Sequence, residues 1–255
     1  MKIFRLIGIM SLLVFSFYLT DLVTELAINS NPLMQTIKKN KANYCVESVN
    51  ATINNNTIIP GIKGKTINEM ESFLNMKDFG SFNTNYLIYD YYSPDISIEN
   101  NKEKIIISGN KSLRQVSILI YKNQEVLEYM NNNKIKYSKL IKYGEEINEE
   151  ENINIESNNE SFDDLDTLLN KNNLNKSICI LNYSNIQKCK ENNYYIVNPN
   201  ITLNNMNFSS NLKKISNGSI ILIDNNLSLN NFKLLENKIY NSDLEIVYLS
   251  KIIEE

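Results

Sequence analysis

The sequence predicts an α/β protein: a parallel sheet covered by helices, preceded by a small mixed module and an apolar N-terminal helix. Three observations carry this. From Arg114 onward, short apolar runs alternate with amphipathic stretches, the pattern of a sheet buried on both faces. Between Thr57 and Ser108 the apolar runs are shorter and are broken by Pro-Gly, Gly-Lys and Asn-Asn turn material. At the start, Lys2 and Arg5 precede an uninterrupted apolar run from Leu6 to Leu19.

The N-terminal run has two readings. As a signal peptide it has a charged n-region and an apolar h-region, but its small-residue cleavage site near Ala27 is poor. As an anchor it continues through Leu22, Val23, Leu26 and Ile28 toward the roughly 20 residues a bilayer needs. An uncleaved anchor over residues 1–30 is the favoured reading. With the basic residues inside, either reading exports everything after Asn29. A helix buried in a soluble core is disfavoured because the run is apolar on all faces.

Residues 31–43, polar around Pro32 to Lys41, are expected to form a stalk, and 44–112 a small mixed module. In the module, Ile67, Met70, Phe73, Leu74 and Lys77 recur at helical spacing, with Gly80 placed to end the helix. NYLIYDYY and Lys104 to Ser108 read as strands. From residue 113 to 255 the expected strands are Val116 to Tyr121, Lys136 to Ile141, Ser177 to Leu181, YYIVNP, Ser219 to Asp224 and Ile246 to Leu249. The helices between them include QEVLEYMNNN, with Val126, Leu127 and Met130 inward, and SFDDLDTLLNK, capped by Ser161. Val116 to Tyr121 and Ser219 to Asp224 are expected as close, buried, parallel strands.

Composition removes several function classes. The chain of 255 residues carries a net charge of −3, with Lys and Glu intermixed, so it lacks the basic footprint of nucleic-acid binding. Asn supplies 45 of the 255 residues, which an AT-rich coding sequence favours and which points to no function. It contains no histidine, the commonest metal ligand and the side chain that titrates near neutrality. Any chemistry must then rest on carboxylates, Lys, Tyr or Cys.

Three clusters invite a functional reading and have a plainer one. Glu145, Glu146, Glu149, Glu150 and Glu151 lack the alternate-ligand and turning-glycine pattern of a calcium loop, so a solvated loop is expected. Asp163, Asp164 and Asp166 fall where a helix dipole favours acids. A bond between Cys179, on a strand, and Cys189, on the next helix, is geometrically possible if their Cα atoms lie within about 7 Å, but buried free thiols are the expected state; Cys45 is the third cysteine.

The stretch from Ser112 to Glu255 resembles the NodB-homology polysaccharide deacetylases, carbohydrate esterase family 4. NKSLRQVSILIYKNQEVLEYMNNNKIKYSKLI is similar to their first strand, first helix and second strand, and GSIILIDNN to their last motif. SICILNYSNIQKCKENNYYIVNP and the segment from Thr57 to Gly80 resemble divergent, membrane-anchored members from low-GC Gram-positive bacteria. The resemblance implies a distorted (β/α) barrel. In the family, one Asp and two His hold a divalent metal, a second Asp is the base and a distal His the acid.

Carried over, the T-F-D-D-G motif falls on Leu119 to Asn123, which puts Tyr121 at the base and Lys122 at the metal ligand. The H-[ST]-x-x-H motif has no histidine to occupy it between Glu145 and Ser161, and L-x-H-D falls on Ile221 to Asp224 with Ile223 in place of the acid. Tyr121, Lys122 and Ile223 are expected around one cavity at the C-terminal ends of the strands, with no metal or cofactor bound. The implied protein is a pseudo-deacetylase of the cell membrane, single-pass with its C-terminal domain outside, in a glycan-binding or scaffolding role. Aromatics at that end among Tyr121, Tyr183, Tyr194 and Tyr195 would favour cell-wall glycan as ligand. Converging carboxylates would favour an active deacetylase with a rebuilt site, and neither would leave a purely structural envelope protein.

Overall fold

The computed structural model describes residues 2–147 and 151–255, with side chains from Met10 onward. The chain runs through α1 (Lys2–Ser30), α2 (Pro32–Tyr44), β1 (Thr52–Asn54), β2 (Thr57–Ile59), β3 (Gly64–Ile67), α3 (Glu69–Met76), β4 (Tyr89–Tyr92) and β5 (Ile105–Ile106). It continues through β6 (Gln115–Ile120), α4 (Gln124–Asn132), β7 (Ser138–Ile141), β8 (Glu151–Asn154), α5 (Asn159–Lys171), β9 (Ile178–Ile180), α6 (Ile186–Glu191) and β10 (Tyr195–Val197). The final elements are β11 (Ile201–Leu203), α7 (Phe208–Leu212), β12 (Ile220–Ile223), α8 (Leu229–Asn241), β13 (Glu245–Val247) and α9 (Leu249–Ile253). Two compact units result, one of residues through Ser48 with Lys63–Tyr92, the other of Val49–Ile62 and Ser93–Glu255.

In the first unit α1 is long and apolar enough to cross a membrane over Met10–Ser30, and its side chains from Met10 to Ala27 are exposed. The expected stalk is instead α2. Asn31 caps it by accepting from the Leu33 amide at 2.9 Å, Pro32 opens it, and Leu33, Met34 and Ile37 are buried against Phe73, Met76 and Leu87. The antiparallel pair β3–β4 completes the unit. Helix α3 packs through Phe73 and Met76, while Met70 and Leu74 of the expected apolar face are exposed. Gly80 ends it at φ +64°, with its amide 3.2 Å from the Met76 carbonyl.

The second unit contains two sheets. One has the order β1-β2-β5-β10-β9, parallel except for the β1–β2 hairpin; the other runs β11-β12-β6-β7-β8, all parallel. Strands β1, β2 and β5 therefore belong to this unit rather than to a separate module, because β5 pairs in parallel with β10. Strand β13 pairs with Gln115 to Ser117. As expected, β6 and β12 are direct parallel neighbours, with Ile220 opposite Ser117 and Ile223 opposite Ile120.

Alternation along the strands builds two cores. Leu119, Leu140, Ile153, Ile220 and Leu222 share an inner cluster with Ile58, Ile106, Ile178, Ile180 and Val197 of the other sheet. Val116, Ile118, Ile120, Ile221 and Ile223 face outward into a second cluster with Met130, Phe232, Leu235 and Ile239 of the covering helices. A strand apolar at nearly every position is what such two-sided burial requires. Beside the inner cluster, Ser184 Oγ links the sheets: it donates to Asn154 O at the end of β8 at 2.7 Å and accepts from Ile180 N on β9 at 3.0 Å. Helix α9 contributes Leu249, Ile252 and Ile253 to the same cluster.

The acidic stretch expected as a solvated loop contains β8, buried throughout. Glu151 is tolerated there because its carboxylate accepts from Ser138 Oγ at 2.7 Å and from the Ser250 amide at 3.1 Å. Glu149 and Glu150 lie outside the described residues. Helix α5 is capped by Asn158 rather than Ser161, so its acids sit a turn deeper than expected. Asp163 pairs with Lys188 at 2.6 Å, and Asp166 is buried, accepting from Asn170, Asn175 and Tyr194. Cys179 and Cys189 are not the buried free thiols expected: they form a disulfide across Cα atoms 6.3 Å apart, within the reach such a bond needs, and Cys45 is free. Strand β11 had no expectation in the sequence, and Leu249 opens α9 rather than closing the last strand.

Candidate functional site

The residues that follow β6 and β12 meet at the C-terminal ends of those strands. Tyr121 and Lys122 leave β6, Asp224 and Asn225 leave β12, and the turn after β7 brings Glu145 to them. Lys122 Nζ lies 3.0 Å from Glu145 Oε1 and 4.7 Å from the Tyr121 ring centroid, and Tyr121 Oη donates to the same Glu145 oxygen at 3.3 Å. The other Glu145 oxygen accepts from the Lys142 amide at 3.0 Å.

These contacts polarise the cluster. The hydrogen bond to Tyr121 and the pairing with Glu145 raise the pKa of the Lys122 ammonium. Partial burial opposes charge on Glu145, but the Lys142 amide and the Lys122 ammonium outweigh it and hold its pKa below the ordinary value. The result is a charge-neutral Lys–Glu pair flanked by a phenol.

Asn123 fastens the two strand ends. Its Nδ2 donates to the carbonyls of Asp224, Asn225 and Leu227 at 3.3, 3.2 and 2.9 Å, while its Oδ1 caps α4 through the Val126 amide at 3.2 Å. Asn225 Oδ1 accepts from the Lys122 amide at 3.2 Å. Sequence reading singled out none of the three partners, Asn123, Asn225 or Glu145, for this role. The Asn preceding the Val126 to Met130 face was the available signal for the first.

Ile223 does not join the site. It is buried on the helix-covered face with Ile118, Ile120 and Phe232, because strand alternation sends it away from the inner side occupied by Ile220 and Leu222. The next residue of inner parity is Asp224, which is partly exposed. The four expected aromatics also separate. Tyr121 and Tyr183 lie at C-terminal strand ends, Tyr183 being 42% exposed, whereas Tyr194 and Tyr195 lie at the opposite, N-terminal end of β10. There Tyr194 is committed to Asp166, and Tyr195 donates to Glu99; burial first, then these acceptors, push both phenols' pKa up.

Two cavities, of 610 and 290 Å³, open at the N-terminal end of β6 and β13, beside Arg114, Gln115, Tyr240 and Glu245. They are remote along β6 from Tyr121 and Lys122.

Comparison with solved structures decides the fold. Wild-type BA3943 of Bacillus anthracis, a carbohydrate esterase family 4 pseudoenzyme, superposes at a TM-score of 0.56 with 14% identity over 88% of this chain and 95% of its own. A BA3943 mutant described as having restored enzymatic activity gives the same score and identity, covering 98% of that chain. This chain has the carbohydrate esterase family 4 fold. No family model matches the sequence. Among curated proteins, the uncharacterized YlxY of Bacillus subtilis is 31% identical over 101 residues, a match spanning 39% of this chain and 31% of YlxY.

A divalent metal, which the carbohydrate esterase family 4 resemblance implies, does not fit the residues present. The position of the ligand carboxylate is the Lys122 cation, the chain has no imidazole, and of the two carboxylates there, Asp224 and Glu145, the second is already paired with Lys122 where three or more free donors are needed. Among the described residues no three His, Cys, Asp or Glu side chains converge as a metal set.

Proposed function

We propose that this protein is a membrane-anchored, outward-facing pseudo-deacetylase that uses the family's barrel for binding or scaffolding at the cell envelope. The observation carrying this reading is the Lys122–Glu145 pair over Tyr121, standing where the resemblance places a base and a metal ligand. An ammonium there repels a divalent cation, and the carboxylate nearest to it is neutralised by salt-bridging. Neither group is free to take a proton from water at neutral pH. The exposed rings of Tyr143 and Tyr183 at the same end of the strands suit stacking on a sugar ring, which makes cell-wall glycan the favoured ligand.

Retention of α1 is supported by its Met10–Ser30 apolar length, and export by the Cys179–Cys189 disulfide, which persists in oxidising compartments. The test uses the full chain purified in detergent. Zn²⁺ or Co²⁺ should bind no better than to Lys122→Ala, and N-acetylated chito-oligosaccharides should release no acetate. Stoichiometric metal, with acetate release that a chelator abolishes, would establish a rebuilt deacetylase instead.

A further inference from the structure

At the C-terminal ends of β6 and β12, the charges are unequally matched. Lys122 and Glu145 cancel each other at 3.0 Å, and the second Glu145 oxygen is taken by the Lys142 amide. Asp224 is left over. Its backbone carbonyl accepts from Asn123 Nδ2 at 3.3 Å, but among the described residues its partly exposed carboxylate has no hydrogen bond and no ion pair.

The register of the strands says what stands beside that carboxylate. Ile223 is opposite Ile120, and one step further sets Asp224 beside Tyr121, about 4.8 Å away across adjacent strands. Both are of inner parity, since Tyr121 packs against the inner cluster and Asp224 follows Leu222 by two residues. Tyr121 Oη gives its proton to Glu145 Oε1 at 3.3 Å, so its lone pairs remain as acceptors, and an ionised carboxylate is an acceptor only. Two neighbouring acceptors, one of them charged, suit a ligand that brings positive charge together with several N–H donors. An ammonium group brings both, and it needs one carboxylate where a divalent metal needs three or more donors. An acetamide in its place would set a carbonyl and a methyl group, with a single N–H, against an unpaired carboxylate. Tyr143 and Tyr183, 53% and 42% exposed at the same end of the strands, offer ring faces to a sugar, which a bare amine would not use.

We propose that this site selects amino sugars whose amine is free, that is de-N-acetylated glycan, with the ammonium seated at Asp224 and Tyr121. The selection rests on the glycan-binding reading and narrows it. Lys122 does not oppose it as it opposes a metal, because one ammonium carries half the charge of a divalent ion and Glu145 already neutralises the lysine.

The full chain in detergent is titrated by calorimetry with glucosamine and N-acetylglucosamine oligomers of equal length, at about pH 6, where an amine of this kind is protonated. Wild type should bind the glucosamine oligomer about fivefold more tightly, the upper value of a partly exposed ion pair. Asp224→Asn should lose that preference while binding the N-acetylated oligomer as wild type does. Asp164→Asn, which removes the same charge from an exposed position on α5, should keep it. Equal affinity of wild type for the two oligomers, a preference that survives in Asp224→Asn, or one that Asp164→Asn loses as well would overturn the amine selection and leave a glycan site of other specificity. Binding of neither oligomer would overturn the glycan reading and the selection with it.

Discussion

Replacing Asn123 tests whether the candidate site is held together by one side chain. In Asn123→Ala, α4 loses its cap, a loss of about 1 kcal/mol. The buried Leu227 carbonyl, 2.9 Å from Nδ2, also loses a donor, which costs roughly 1–3 kcal/mol. The sum is about 2–4 kcal/mol, or a fall of about 1–2 M in the urea midpoint for a slope of about 2 kcal/mol/M. Asn123→Asp separates the two contributions. Its carboxylate still caps Val126 but turns an anionic oxygen toward three carbonyls. At pH 7 it should be less stable than the alanine variant. The acid's folded pKa is raised, so the penalty is present above that pKa and is relieved as pH falls through it. Ser228→Ala, which removes only a cap from α8, should cost about 1 kcal/mol or less. Urea unfolding followed by circular dichroism measures all three. An Asn123→Ala midpoint no lower than that of Ser228→Ala, or an Asn123→Asp variant as stable as wild type at pH 7, would refute the fastening role.

Two further outcomes follow from the same unit. The Cys179–Cys189 disulfide closes a loop of separation 10. A loop of that length gives a chain-entropy stabilisation of about 2.7 kcal/mol. Unfolding with reductant should therefore lower the urea midpoint measurably, and denatured, unreduced protein should label at one of its three cysteines, Cys45. Labelling at all three would disprove the bond. Glu145→Gln should destabilise at pH 7 by less than about 1 kcal/mol, because Lys122 is 59% exposed and solvent screens the pair. Since the folded pKa of Glu145 is depressed, its contribution is present above the ordinary carboxylate pKa and lost as pH falls through the lower folded value. Wild type and Glu145→Gln should converge in acid, and a constant difference across pH would refute the pairing.

What could be read from the sequence follows from which forces shape each element. Strand β6 and helix α4 were legible because Val116 to Ile120 is apolar on both faces and Val126, Leu127 and Met130 recur at helical spacing. Strand β8 was not, because Glu151, Asn152 and Asn154 look solvated in sequence; their burial depends on distant partners such as Ser138, Ser250 and the Phe162 carbonyl. Helix α2 carried a readable start, Asn31-Pro32, but few apolar residues, and its burial depends on α3. Asn richness proved to have structural uses. Asn31, Asn68, Asn123, Asn158 and Asn185 cap helices with their side chains, and Asn55, Asn173, Asn182 and Asn193 occupy positive φ. A coding bias can supply the residue while caps and turns absorb it.

The candidate site itself turned on parity. A motif laid on β12 one residue early selects Ile223, and the period of two then sends the selected side chain under the helices. Parity with Ile220 and Leu222 assigns the site-facing position beyond β12 to Asp224, whose neighbour Asn225 holds the Lys122 amide. The substitution facing the site at the acid's end of the barrel is then a carboxylate rather than an isoleucine. That change does not restore the chemistry. As a metal ligand it would face Lys122 where its companion carboxylate should stand, and the chain has no imidazole to serve as the acid. On the reading proposed above, the chemistry is lost at Tyr121 and Lys122, on β6. It is there, rather than on β12, that a hydrogen-bonded Lys122–Glu145 pair stands where the proposed reading places the missing base and metal ligand.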